Sequence, residues 1–464
     1  MRYFQPYAPP VDDAIAAAWD SRVQLAADDP WLEAALAAEG GALRPRFAEC
    51  YRRLSALPRG ARRAVQRRLA ASRALAIPDA RRRSLAFSLA GAALLLALAP
   101  AAQANDIIVS AKTPPNIQLG DNKCSLAEAI VASNLHGTYD ACTAGSGTDI
   151  IHLPKGTQTL TKADGDCSGP TGLPAITSNI TIEGNGAKIV RGKKAPAFRL
   201  LCVRTGAVTI NDTTFSGGSA DFGGGIVNSS ALTLNNCVIS GNVATGDGGG
   251  IYTEGSVHAT GTTFSKNQAN RGGALFAYDS IVQLADSLVT GNTAGRGGGI
   301  YVQESSVDIT GGTISKNSAA ENGGGVAAYG IIQKNYSPGY YYNGYYYGGY
   351  TYFYTNNYVR ISGATITGNS AAQSGGGLFS YGSYIYTTGG ALTKNSAGQN
   401  GGGAYGKSDT YFTLTNGVVS GNKAGQKGGG AAALNIYYGA NLSGESFSKN
   451  KAAADAATND TYVP

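Results

Sequence analysis

The stretch VDITGGTISKNSAAENGGGV, residues 307–326, is one copy of a unit the chain repeats. Its central asparagine returns at Asn242, Asn267, Asn292 and Asn317, 25 residues apart each time, and again at Asn369, Asn395, Asn422 and Asn450. Glycine clusters keep the same beat, among them Gly223–Gly225, Gly248–Gly250, Gly297–Gly299 and Gly401–Gly403. A fixed period of this size means a solenoid. The unit also says which kind. Val208-Thr-Ile210, Leu232-Thr-Leu234, Val282-Gln-Leu284, Val307-Asp-Ile309 and Phe412-Thr-Leu414 alternate apolar and polar, the period of a strand with one buried face. A second apolar site precedes the asparagine (Phe264, Ile314, Ile366), and a third follows the glycines (Ile251, Ile300, Leu378). Three short strands and three turns per unit describe one coil of an all-β, right-handed parallel β-helix.

The residue types have physical work to do in such a coil. Asparagine tolerates the left-handed backbone of a sharp turn. Stacked asparagine side chains can also hydrogen-bond along the axis. Glycine lets the backbone bend and approach the next coil. Gly is 66 of 464 residues and charged residues only 14%, which suits a turn-dense β-protein and not a helical bundle. A calcium β-roll would need GGxGxD nonapeptides; only GDGGG at 246–250 approaches one.

Charge divides the chain. Residues 1–104 hold 15 Arg, no Lys and 9 Asp or Glu, which leaves 37 − 15 = 22 basic and 30 − 9 = 21 acidic residues for the rest. The near-neutral remainder gives no electrostatic case for nucleic-acid binding. Residues 81–104 read as an export signal: an arginine run, an apolar stretch Leu85–Ala99, then Ala102-Gln103-Ala104. That stretch is short for a membrane span. Residues 1–80 read as an Arg/Ala-rich helical leader. Export to the extracellular space or a bacterial outer-membrane surface follows from the signal.

Five cysteines follow it: Cys124, Cys142, Cys167, Cys202 and Cys237. None obeys a metal spacing, and disulfides are the expectation in an oxidising compartment. Cys124 with Cys142 is the preferred pair, and the odd number leaves a thiol over. The expected organisation is an N-terminal cap and first strands over 105–175, β-helix repeats over 176–450, a Tyr-rich insertion at 336–358 and a tail over 451–464. Nothing in the tail looks like a cap, an anchor or a barrel.

The repeat resembles that of the chlamydial polymorphic outer-membrane proteins, marked by GGA(I/L/V) and FxxN. Here GGAL occupies Gly272–Leu275, and FSKN occupies Phe264–Asn267 and Phe447–Asn450. A second resemblance lies upstream. CSLAEAI, Cys124–Ile130, is similar to the CSLREA motif of bacterial surface β-helix proteins, with Ala127 where arginine is usual. The two resemblances imply an exported, surface-associated β-helix protein. Read from its own residues, Ser125 and Glu128 form a capping box, with Leu126, Ala129 and Ile130 on one helical face. A short helix there would cover the open end of the solenoid.

Parallel β-helices also carry polysaccharide lyases and hydrolases, whose chemistry would fall on the outward row Thr209, Thr233, His258, Gln283, Asp308, Arg360 and Thr413. His258 and Asp308 stand two coils apart, roughly 10 Å, too far for a catalytic pair. Asp308 and Arg360 would meet only if the tyrosine-rich insertion leaves the wall, and then as a surface ion pair. No catalytic residue, cofactor or metal site is assigned.

The insertion is the other departure. From the post-glycine residue to the asparagine takes 17 residues in one coil (Ile300 to Asn317) and 43 in the next (Val326 to Asn369). Residues 336–358 hold 11 of the 27 tyrosines. Asn343-Gly344 signals a type I′ hairpin turn, and tyrosine suits paired strands. A hairpin over 339–348 projecting from the wall is expected, with Tyr340, Tyr341, Tyr342, Tyr345, Tyr346 and Tyr347 as candidate ligand contacts. Tyrosines present large amphipathic area at small entropic cost. The expected role is non-catalytic adhesion or surface architecture, with glycans or cell-surface proteins as partners. A polysaccharide lyase or glycoside hydrolase is the alternative. End-to-end self-association is a third, since the C-terminal end shows no cap.

Overall fold

The computed structural model describes residues 105–464 except 331, 343–344, 355–356, 409, 435–439, 444–445, 456, 458 and 463–464, and no side chains within 331–356 or 434–445. The expected leader and export signal, residues 1–104, lie outside the described residues.

The repeat becomes a parallel β-solenoid of about nine turns. Each coil contributes strands to three sheets. The widest begins with Asp106–Ile108 and Asp149–His152, then takes one rung from every coil up to Ala440–Ser443. The short strands just before each asparagine, from Val238–Ser240 to Ser446–Ser448, extend the same sheet along a second row. A second sheet of nine strands runs from Ser219–Ala220 to Lys451–Ala452. A third, of ten, runs from Leu201–Val203 to Thr461–Tyr462. All pair in parallel, as a coil stacked on its predecessor requires.

The register carries the sequence alternation into the core. Val208, Leu232, Val257, Val282, Val307, Val359, Ile385 and Phe412 stand in one line across neighbouring rungs, all buried. Each side chain of this size contributes about 1.5–3 kcal/mol by burial. The insertion does not disturb the stack. Asn317 still meets Asn369 and Val326 meets Leu378 across it.

The eight asparagines form one buried ladder. Each side-chain amide donates to the Oδ1 of the next, at 2.9–3.1 Å from Asn242 to Asn450. The same Oδ1 accepts the preceding asparagine's backbone N–H, as Asn317 does from Asn292 at 2.9 Å. The second amide hydrogen goes to a main-chain carbonyl, Val289 O in the case of Asn317. The asparagines are not the left-handed residues of this corner, contrary to the expectation above. That conformation belongs to the residue before each of them: Gly241, Lys266, Gly291, Lys316, Gly368, Lys394, Gly421 and Lys449, all at φ between 54° and 66°. The left-handed residue swings the asparagine side chain inward, where its amide replaces backbone partners the turn gives up.

Glycine plays both parts expected of it. Gly297 sits at φ 62°, and a Cβ on Gly298 would stand 2.4 Å from Ser318 O and 2.6 Å from Gly324 O in the next coil.

Both ends of the stack are closed. At the N-terminal end, helix α1 (Leu126–Leu135) starts at Ser125, whose hydroxyl accepts from Glu128 N while the Glu128 carboxylate accepts from Ser125 N at 2.9 Å. Leu126, Ala129 and Ile130 join the main core. Glu128 is itself fully buried, because its other oxygen accepts from Gln118 N. At the C-terminal end the expectation of no cap is overturned. Asp460 Oδ1 takes the last ladder amide, from Asn450, at 2.9 Å, and Asn459 Oδ1 accepts from Ala452 N. Thr461–Tyr462 then pairs with Ala431–Leu434. The short polar segment showed no cap in sequence because it works through single hydrogen bonds, not through an apolar face.

Cys124 and Cys142 stand at disulfide distance, Cα to Cα 4.9 Å, as do Cys167 and Cys202 at 6.3 Å. Cys237 is a free, buried thiol.

Candidate functional site

The tyrosine-rich segment forms two antiparallel strands, Ile332–Tyr342 and Tyr345–Tyr354, in a two-stranded sheet of their own. Tyr340 pairs with Tyr347, Tyr341 with Tyr346 and Tyr342 with Tyr345. The expected type I′ turn at Asn343-Gly344 and the hairpin's side chains lie outside the described residues. An irregularity between Ser337 and Tyr340 falls where Pro338, which has no N–H, interrupts the ladder.

The chain rejoins the solenoid at Asn357, whose Oδ1 accepts from Ser305 N at 2.9 Å. From there the wide sheet turns aromatic on its outer face. Tyr358, Tyr384 and Tyr411 occupy one line of the register, and Tyr386 lies beside Arg360 in the next. The rings touch: Tyr358 and Tyr384 at 5.1 Å between centroids, Tyr386 and Tyr411 at 5.5 Å. Arg360 lies over the Tyr358 ring at 5.3 Å. Its guanidinium also donates to Asp308 Oδ1 at 3.3 Å, a half-exposed ion pair between register partners. Burial, followed by the neighbouring Tyr358, Tyr411 and Tyr384 rings, pushes the Tyr386 phenol above its ordinary value. These four outward tyrosines form a partly exposed aromatic face in the coils that follow the hairpin. The sequence signal was present in YVRIS, YIYTT and YFTLT, where tyrosine fills the outward positions of the alternation. The outward row weighed for catalysis passes through this face, with Tyr386 standing between Arg360 and Thr413. His258 and Asp308 are separated by Gln283 in that row. Among the described residues no three His, Cys, Asp or Glu side chains gather to hold a metal.

A second aromatic column lies on the third sheet, at the position following the glycines and the first inward residue. Tyr252, Phe276 and Tyr301 stack at 5.3 and 5.2 Å. The next coil has Ala327 there, and the ring is supplied by Tyr329, two residues on, 5.2 Å from Tyr301 and 5.0 Å from Phe379. Arg271 covers Phe276 and Tyr301 while bound to Asp247 through two hydrogen bonds of 2.8 and 2.6 Å. This column is mostly buried and braces the wall.

The fold and its repeat define a β-solenoid protein with an aromatic outer face. The Chlamydia polymorphic membrane protein repeat matches residues 236–254 and 261–278. The second match contains FSKN and GGAL, so Phe264 is the core residue, Asn267 a ladder member and Gly272-Gly273 the coil-to-coil contact of this repeat. No curated protein and no solved structure matches the chain. No described helix is long and apolar enough to cross a membrane.

Proposed function

We propose that the chain is an exported protein of a bacterial surface that acts without catalysis, its solenoid holding a tyrosine surface out to glycans or cell-surface proteins. The observation that carries this reading is the coincidence of the hairpin with the outward ring cluster Tyr358, Tyr384, Tyr386 and Tyr411. Tyrosine faces stack on sugar rings and fill protein interfaces at little entropic cost. Tyr340, Tyr341, Tyr342, Tyr345, Tyr346 and Tyr347 are the hairpin contacts in this reading. The matched repeat, that of a membrane protein of Chlamydia, supports the surface location. The CSLAEAI motif and the cysteine pairs, taken as oxidised, support export.

The test replaces residues 334–352 with a short Gly-Ser link and leaves Asn357 in place. Retention on a panel of uncharged glycans should fall at least tenfold. A parallel Tyr358→Ala, Tyr384→Ala, Tyr411→Ala variant should lose part of it. Undiminished retention in both variants would remove the tyrosine surface as the recognition element.

A further inference from the structure

The corner that carries the asparagine ladder has an outer side with a pattern of its own. Its left-handed position alternates strictly: Gly241, Lys266, Gly291, Lys316, Gly368, Lys394, Gly421, Lys449. A left-handed backbone disfavours lysine, and only Gly, Asn and Asp visit it routinely. Elsewhere the left-handed positions are mixed, Glu304 and Ser408 among them at φ 51° and 55°, but one other turn keeps to that rule. The turn inside the wide sheet holds Asp212, Asn236, Asp286 and Asn416 at φ 44–58°, with glycine in the coils between. At the ladder corner the non-glycine residues are all lysine. Strained residues of this kind cluster at functional sites.

The lysines are exposed and, among the described residues, none of the four forms a salt bridge. Successive ones are two coils apart, roughly 10 Å. The glycine between them gives the long side chain room; a Cβ on Gly421 would touch Lys394 Cγ at 3.7 Å. From four residues before each ladder asparagine to three after it, no coil contains Asp or Glu, while Lys423 and Lys451 add two further charges. Asp247 and Glu321, which follow this window in their coils, are held by Arg271 and Arg296. Beside the lysines runs an outward line of hydroxyls, Ser265, Thr290, Thr367, Thr393 and Ser448, in which the buried Ser315 donates to Thr290 at 3.1 Å and Thr393 to Thr367 at 3.0 Å.

We propose that this edge is a binding track for an acidic polysaccharide bearing one carboxylate or sulfate on every second sugar. Two extended sugar units span a length comparable to two coils, so successive anions meet successive lysines. The hydroxyl line offers hydrogen bonds to the sugars between. Nucleic acid fits less well. Its duplex places a charge every ~1.7 Å and its single strands call for aromatic platforms, whereas the edge's two phenylalanines, Phe264 and Phe447, pack into the core. The track lies at a different corner from the tyrosine surface and does not depend on it.

The test measures binding of the full chain to hyaluronan, with dextran and duplex DNA as comparators. The chain should bind hyaluronan with a salt-sensitive affinity and ignore dextran. Lys266→Gly, Lys316→Gly, Lys394→Gly, Lys449→Gly together should weaken hyaluronan at least tenfold and flatten the salt dependence. Glycine is the residue the alternate coils already carry there, so the unfolding temperature should hold. Should it drop, the matching Lys→Gln set, which keeps a long side chain at each corner, should show the same loss of binding. Two other variants should bind hyaluronan like the parent: Lys155→Gln, Lys188→Gln, Lys193→Gln, Lys194→Gln, and the chain lacking 334–352. The proposal is overturned by no binding in the parent, by full binding in the quadruple corner variant, by equal loss in either of the other two, or by tighter binding of duplex DNA.

Discussion

Asn317 shows how much one side chain carries here. It accepts two hydrogen bonds from Asn292 and donates to Val289 O and Asn369 Oδ1, with no exposed surface. Asn317→Ala strands several buried polar groups at once, each costing about 1–3 kcal/mol. The expected loss in urea unfolding is on the order of 3 kcal/mol or more, and greater than for Asn450→Ala at the last rung, which only the short Asn459-Asp460 segment covers. Equal losses would deny the ladder its role. The sequence displayed the ladder as a bare period, so its residues were legible. The position of the left-handed residue was not, because asparagine's turn preference and its use as an internal hydrogen-bonding group leave the same letter at the same spacing. Cys237 makes a second residue-scale prediction. Burial raises its thiol to about 11, so it stays protonated well past the pH at which free thiols ionise. In the native chain it should alkylate at least a hundredfold more slowly than after denaturation; rapid native labelling would contradict its burial.

At the scale of elements, the aromatic column of the third sheet is a chain of rings with one substitution absorbed. Ala327 leaves a gap, and Tyr329 fills it. Tyr329→Ala should cost about 3 kcal/mol by removing a large, mostly buried ring. Adding Ala327→Phe, the residue type of Phe276 and Phe379 at that position, should restore most of it. An additive loss in the double variant would show that the rings are independent. The sequence alternation put an outward residue at each of these positions. What hid the column is that outward aromatics on a stacked sheet bury one another, a consequence of coil spacing and not of any one coil. The column also has a pH signature. Burial holds the phenols of Tyr301 and Tyr405 above their ordinary value. A raised phenol favours the folded state in its protonated form. The contribution is therefore whole below the unfolded value near 10 and is lost as pH rises through the folded one. Thermal stability should decline above about pH 10, and Tyr405→Phe, which keeps the ring, should soften the decline. The N-terminal helix was legible down to its capping box because S-x-x-E acts within one turn. The burial of Glu128 was not, since its second partner, Gln118 N, comes from a separate loop.

For the whole molecule, one coil repeated decides the architecture and also decides what stands out against it. A uniform solenoid presents each outward position as a straight line, so a tyrosine or a lysine recurring in that position becomes a surface stripe. The insertion was legible as a break in period, and its pairing from its tyrosines and its Asn-Gly dipeptide. The ring cluster beyond it, where the chain re-enters the wall, emerged only when the register set Tyr358, Tyr384 and Tyr411 side by side. The most direct measurement incubates the full chain with a polysaccharide panel and follows both retention and polymer length. Retention of the uncharged polysaccharides with unchanged polymer length, lost in stepwise fashion when residues 334–352 and then the outward tyrosines are removed, is the predicted result. Shortened polymer would contradict it, making the solenoid an enzyme and moving attention to the outward row around Asp308 and Arg360.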